Sequence, residues 1–351
     1  MSGLATSPGL AHVVAALALA ALALYALTGG ADFGAGLWDR FASGPRKDQQ
    51  RAIIEHALAP IWETNHVWLI FVVVLLFSAF PLAFAAIGTA LTVPLSLALV
   101  GIVLRGAAFV FRHYGAGGAM DARRWGRVFG AASVAGPFFL GTCLAAVSGG
   151  RIRVTSDGQV VAPVQAWWGP FPIAVGLFVV MLFGFLAAVY LCLEAEGHPD
   201  HRPHDPAFDP KLSDDFRRRA LAAGALAGLL SLLVRITAAR ENVRFGQALF
   251  GSPWSTAAQI LVATLALGAL AALFARRFRL ARWVAVAQIG TVVIGWGMAQ
   301  YPFVVAPDVT LLAAAAPAAT LRVILVACAA GALVLVPSLA WLFRVFHRVG
   351  T

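Results

Sequence analysis

Cysteine is nearly absent from this chain of 351 residues: Cys143, Cys192 and Cys328 are the three it has, and all lie inside apolar stretches. No C-x-x-C, C-x-x-C-H or zinc-ligand spacing occurs, so a disulfide scaffold, covalently attached haem and structural zinc are unsupported. Free thiols serving as small buried apolar side chains account for all three. Charge is scarce too. Only 12% of residues are Asp, Glu, Lys or Arg, against about 25% in water-soluble domains. Acids are the rarer sign, 16 against 26 basic residues, for a net charge of +10. No glycine-rich phosphate loop follows a strand anywhere. These absences exclude an ordinary cytoplasmic enzyme, a disordered chain and a nucleic-acid binder.

What the chain does contain is apolar: 60% hydrophobic residues and a mean hydropathy of +0.83. A soluble fold of this length could not bury that much apolar surface. A membrane span needs about 20 apolar residues. Runs bounded by charge or by Pro/Gly clusters predict spans at Leu10–Thr28, Ala57–Ala79, Leu82–Val110, Val128–Ser148, Ala166–Leu193, Ala220–Ala238, Ser255–Ala275, Trp283–Tyr301 and Leu321–Phe346. The fold class expected is therefore all-α, a polytopic membrane protein of about nine transmembrane helices in one integral membrane domain over residues 1–351. Residues 45–58 read as an amphipathic surface helix. Residues 194–219, acidic first and basic later, read as a solvated cytoplasmic loop. The first span resembles a signal peptide in position, but the residues before it include no Lys or Arg, which argues against cleavage.

The basic residues test this count. With an external N-terminus and a cytoplasmic C-terminus, the cytoplasmic loops hold 19 of the 26 Lys and Arg and the external loops 5. Arg105 and Arg322 fall within spans. That bias is the one expected of a multi-pass membrane protein. It also gives the net positive charge a topological meaning.

Ionisable residues inside a membrane are costly and so are functional candidates. The densest set lies in Ala59-Pro-Ile-Trp-Glu-Thr-Asn-His-Val-Trp-Leu-Ile70. If Pro60 opens a helix, Glu63 and His66 are three apart on one face and can touch. A carboxylate beside an imidazole in low dielectric can relay a proton. The plainer alternative is an aromatic belt, Trp62 and Trp68, around a polar headgroup anchor. Asp32, in a glycine-rich stretch just past the first span, either lines a polar cavity or sits in a capped surface loop. Arg105, deep in the third span, needs a carboxylate, carbonyls or water, and Glu63 and Asp32 are the carboxylates at hand; snorkelling to the headgroups is the alternative. The run His198-Pro-Asp-His-Arg-Pro-His-Asp205 suggests a metal, but Pro199 and Pro203 deny its imidazoles helical spacing, and a solvated loop is the better reading. Among span residues, His66, Met181 and Met298 are the available haem ligands, and none is clearly poised for that role.

At these residues the chain resembles subunit II of the cytochrome bd-type quinol oxidases. That family's D-G-F-D-x-G-x-G stretch aligns with Gly29-Gly-Ala-Asp-Phe-Gly-Ala-Gly36, and its P-x-W-D-G-N-x-V-W-L-I block with Pro60–Ile70. Phe77–Pro81 resembles its F-A-A-F-P, Arg105–Arg112 its R-G-x-A-F-E-F-R, and Tyr301–Pro307 its Y-P segment after a helix. The chain departs from the pattern at Gly29 and Val110, where the family carries acids, at Thr64 for a Gly, and at His66 for a Glu or Gln.

The resemblance implies two four-helix bundles plus one peripheral helix. It implies a subunit with no cofactor of its own, which braces a haem-bearing subunit I holding haems b and d and helps deliver protons for quinol-linked reduction of oxygen to water. Glu63, His66 and Asp32 are then the proton-transfer candidates, supported by Trp62, Asn65 and Arg105. A small accessory membrane subunit and a structural quinone or lipid between bundles are further expectations of the resemblance. Two other readings compete: a stand-alone proton-coupled membrane transporter, and a subunit carrying haem itself.

Overall fold

The computed structural model describes residues 7–58, 62–114, 119–196, 210–241 and 244–349. The chain is helical almost throughout: α1 Pro8–Arg40, α2 Lys47–Leu58, α3 Trp62–Ala79, α4 Pro81–Ala90, α5 Thr92–Tyr114, α6 Ala119–Ser148, α7 Pro170–Glu196, α8 Pro210–Arg240, α9 Arg244–Phe250, α10 Pro253–Phe274, α11 Phe278–Gln300, α12 Leu311–Ala314 and α13 Ala318–Val349. Two short antiparallel pairs interrupt it, β1 Arg153–Val154 with β2 Val160–Val161, and β3 Phe303–Val305 with β4 Val309–Thr310. Among the described residues, eight helices are long and apolar enough to cross a membrane, and nine spans result if the bent pair α3–α4 is one. The expected count is met on that basis.

Two boundaries differ from the sequence reading. The third span was expected from Leu82. Instead Pro81 opens a separate helix, α4, and the pair Asn65–Ala79 and Pro81–Ala90 bends by 118°. Phe80, the residue before proline, adopts φ −135°, ψ 58°, because the proline ring disfavours a helical conformation there. The span proper starts at Thr92. The first span was ended at Thr28, yet α1 continues to Arg40 without a break. At about 1.5 Å per residue its 33 residues make a rod of roughly 50 Å, longer than the ~30 Å hydrocarbon layer.

The helices converge on α7, which packs against α1, α6, α8 and α11. One core joins Phe33 of α1, Phe129 of α6, Phe183, Phe185 and Leu186 of α7, Phe216 of α8 and Ile289 of α11. The outward faces are apolar as well, with Val103 of α5, Leu229 of α8, Leu267 of α10 and Leu333 of α13 all exposed. Lipid-facing helices have no reason to put polar residues there.

At one end of the molecule, α2 lies against α1 and α7 with Ile53 and Ile54 buried in the core. Arg46, just before α2, makes a two-pronged ion pair with Asp215 of α8 at 2.9 Å, and Gln50 accepts from Arg219 at 2.6 Å. Asp39, at the end of α1, is 2% exposed and pairs with Arg112 at 3.0 Å. The stretch read as a loop over 194–219 is shorter than expected. Glu194–Glu196 still belong to α7, and Pro210–Arg219 form the first turns of α8, where Leu212 and Phe216 are buried. The histidine run over 198–205 lies outside the described residues.

The opposite end is closed by the two strand pairs. Arg153 donates to Asp308 through Nε at 2.7 Å and Nη2 at 3.1 Å, and the Val154 amide donates to the same carboxylate at 2.9 Å. The hydrogen bond from Arg153 is the main cause holding the Asp308 carboxyl below its usual 3.8. A depressed carboxyl pKa contributes stability that is complete above the unfolded value and disappears as pH falls through the folded one. Pepsin cleavage within 151–161 is therefore expected to be slow near pH 4 and to accelerate below it. An Asp308→Asn protein should be cut at the faster rate across that range.

Candidate functional site

Three helices bring polar groups together within this apolar structure. Asp32 projects from α1, Asn65 from α3 and Arg105 from α5, and all three are buried, at 6%, 4% and 2% exposure. Asn65 Nδ2 donates to Asp32 Oδ2 at 2.5 Å. Arg105 Nη2 donates to the backbone carbonyl of Asp32 at 3.1 Å. The guanidinium also lies over two rings, 5.2 Å from the centroid of Phe33 and 5.3 Å from that of Phe129, which α6 contributes. A cation over aromatic faces regains part of the hydration it lost.

Arg105 thus does not snorkel. Of the partners offered by the sequence it takes a carbonyl, that of Asp32, while the Asp32 carboxylate is held by Asn65. The carboxylate and guanidinium still feel each other's charge. Asp32 is neither in a loop nor beyond the span: it sits inside α1, one turn after Gly29.

His66 is on α3 beside Asn65. Its ring centroid is 6.0 Å from that of Tyr25 and 5.9 Å from that of Phe33, the latter edge-on. Met298, on α11, points outward at 52% exposure. Glu63 and Trp62 are in the first turn of α3, one turn before His66 and Asn65; their side chains lie outside the described residues. Among the described residues, no group of three or more His, Cys, Asp or Glu is placed to hold a metal ion.

Tyr25 is the member of this cluster that the sequence reading missed. Its hydroxyl is buried without a hydrogen-bond partner among the described residues, and it feels the charges of Arg105 and Asp32. The signal was periodicity: Tyr25 and Asp32 are seven apart, two turns on one helical face. Ending the first span at Thr28 conceals it. Gly29 lies between them, and a Cβ there would come 2.7 Å from Tyr25 Cε2. The missing side chain at 29 is what gives the Tyr25 ring its room.

Residues 10–346 match the family described as cytochrome bd terminal oxidase subunit II. A Bacillus subtilis protein named provisionally as a cytochrome bd menaquinol oxidase subunit II is 24% identical over 334 residues, covering 93% of this chain and 92% of that one. The cytochrome bd-I ubiquinol oxidase subunit 2 of Escherichia coli is 36% identical over 88 residues, 25% of this chain and 23% of its own. The solved structure of bd oxidase from Geobacillus thermodenitrificans has the same fold, with a TM-score of 0.75 at 24% identity, covering 96% of this chain and 98% of the matched one. The family match spans nearly the whole sequence, and the fold agrees with it over the same length: this chain belongs to the cytochrome bd terminal oxidase subunit II family.

Proposed function

We propose that this chain is the haem-free subunit of a quinol:oxygen oxidoreductase complex, bracing a haem-bearing subunit I and helping deliver protons to the site of oxygen reduction. The observation that carries the proton role is the buried Asp32–Asn65–Arg105 cluster. A carboxylate with 6% exposure is costly in hydrocarbon. Asn65 and Arg105 make it tolerable, which leaves an acid able to take up and release a proton inside the membrane. Glu63, one turn of α3 from His66 in sequence, is assigned to the same path, with Trp62 as its neighbour in the chain. The relatives' names, menaquinol oxidase in one case and ubiquinol oxidase in the other, support quinol as the electron donor. The haems b and d belong to the partner subunit, and no complete active site is assigned to this chain. A small accessory subunit, and a quinone or lipid filling a gap between bundles, complete the proposed assembly.

The basic end, with Arg46, Arg51, Arg112 and Arg219, is assigned to the cytoplasm, and the end with the strand pairs to the outside. This orientation places the N-terminus outside and the C-terminus inside an inner membrane. Purification of the tagged chain from membranes tests the assembly. A co-purifying partner with haem b and d absorbance is expected, with no haem absorbance on this chain once separated. A solitary colourless chain would instead point to a transporter, and absorbance on the isolated chain to a haem-bearing subunit. For the proton role, Glu63→Gln in the assembled complex should lower oxygen consumption by about 10²-fold, the low end of what a positioned acid–base group supplies. Unchanged turnover in that variant sinks the role assigned to Glu63.

A further inference from the structure

Three buried polar atoms close to Asp32 have no hydrogen-bond partner among the described residues: the Tyr25 hydroxyl, His66 Nδ1 and Arg105 Nε. They come from three helices, α1, α3 and α5, on side chains linked through shared ring contacts. The Tyr25 and His66 rings are 6.0 Å apart, centroid to centroid. Phe33 links the imidazole to the guanidinium, 5.9 Å from the His66 ring and 5.2 Å from Arg105 Cζ. The charge of Arg105 reaches both Tyr25 and His66.

A buried polar atom without a partner is costly in apolar surroundings, and three such atoms on neighbouring side chains are most simply satisfied by a bridging group. Their chemistry narrows what it is. Arg Nε only donates, a phenol hydroxyl both donates and accepts, and a neutral imidazole nitrogen does one or the other by tautomer. Water accepts from the guanidinium and donates to the other two. Buried waters typically make about three hydrogen bonds of this kind to groups otherwise left unsatisfied.

We infer that internal water joins Tyr25, His66 and Arg105 beside Asp32, and that the Tyr25 hydroxyl is a relay group on the same proton path. The role given to Tyr25 rests on the proton-delivery reading above. In each transfer the hydroxyl oxygen takes a proton from water on one side while its own O–H proton passes to the acceptor on the other. No charge stays on the ring, no electron moves, and no further reactant is needed. Arg105 holds the water and remains protonated. Asp32, two turns along α1 from Tyr25, is the carboxylate that the relayed proton reaches or leaves.

Tyr25→Phe in the assembled complex removes the hydroxyl and keeps the ring that packs over Gly29. With saturating quinol, oxygen consumption is expected to fall about tenfold, less than for loss of a carboxylate because water still spans part of the gap. The solvent deuterium isotope effect should rise, while complex yield, haem content and thermal midpoint stay at parent values. Asp32→Asn, assayed in parallel, separates two failures, with Glu63→Gln taking its place if that complex does not assemble. If the carboxylate variant turns over normally, the proton-delivery reading falls and the Tyr25 assignment with it. If the carboxylate variant is slow but Tyr25→Phe matches the parent in rate and isotope effect, the Tyr25 assignment alone is overturned. A slow Tyr25→Phe complex with an unchanged isotope effect reports altered packing and also overturns it. Infrared difference spectra supply an independent check: an internal-water O–H band, altered in Tyr25→Phe, is expected in the parent, and its absence there removes the bridging water.

Discussion

Arg105→Met is expected to remove most of the assembled protein from membranes. The guanidinium is 2% exposed, donates to the Asp32 carbonyl and lies over Phe33 and Phe129. Methionine fills much of the volume but supplies neither the charge nor the donor. Asp32 then keeps a buried carboxylate without the cation whose charge it feels. Removing one partner of a buried charged pair costs about 3–5 kcal/mol, a large share of the ~5–15 kcal/mol that holds a folded domain. Arg105→Lys should restore only part of the yield, since an ammonium cannot cover two ring faces as a planar guanidinium does. The decisive variant is Arg105→Met with Asp32→Asn. If loss of charge balance is the cause, the double variant should assemble better than Arg105→Met alone. Yield measured by fluorescence-detected size exclusion decides it, and a double variant no better than the single one refutes the pairing.

Gly34→Ala should be nearly as damaging, although it adds a single methyl group. Gly34 is where α1 crosses α7. A Cβ at that position would come 2.0 Å from the carbonyl oxygen of Phe183, 2.6 Å from its carbonyl carbon and 2.7 Å from Ala187 Cβ. Two of these three atoms are backbone inside a helix and have no rotamer to escape through. The whole of α7 must move away from α1. Overpacking generally costs about 1–3 kcal/mol, and a contact with rigid backbone belongs at or above the top of that range. Close approach through small residues is also what holds membrane helices together, because lipid supplies little hydrophobic drive between them. The thermal midpoint of the complex should fall sharply, and turnover with it, since Asp32 is two residues away. Gly228→Ala is the matched control: nothing lies within 4 Å of a Cβ there, so stability should be kept. Equal behaviour of the two variants would mean that the crossing at Gly34 does not depend on close contact.

Helix type and number were legible because they follow from local properties. Apolar runs of span length, edged by Arg and Lys, are written in the chain itself. Boundaries were less so. Thr28 looked like an end because Gly29, Gly30 and Asp32 follow it, and glycine and aspartate are poor helix residues in isolation. In the folded protein α1 runs on to Arg40 because Gly30 and Gly34 face α7, Gly36 faces α6, and its aspartate has partners on α3 and α5. The break at Phe80–Pro81 is legible, but the separation of α4 from α5 at Leu91 is not: the apolar pattern continues unbroken from Leu82 to Val110, and composition says nothing of direction.

Asp32, Asn65 and Arg105 stood out in the sequence as polar residues in apolar surroundings. That criterion also passes over Tyr25, which counts as aromatic, and it cannot tell which partner Arg105 takes. Membrane insertion, the all-α class, the bias of basic residues to one end and the few polar positions that matter are therefore properties of the sequence, since each depends only on how residues partition between lipid and water. The choice of the Asp32 carbonyl for Arg105, of Asn65 for the carboxylate, and of Tyr25 and His66 as neighbours came only with the tertiary structure. Those contacts join residues 33 to 73 positions apart. They exist only where packing brings α3 and α5 against the same stretch of α1, which no local property of the sequence specifies.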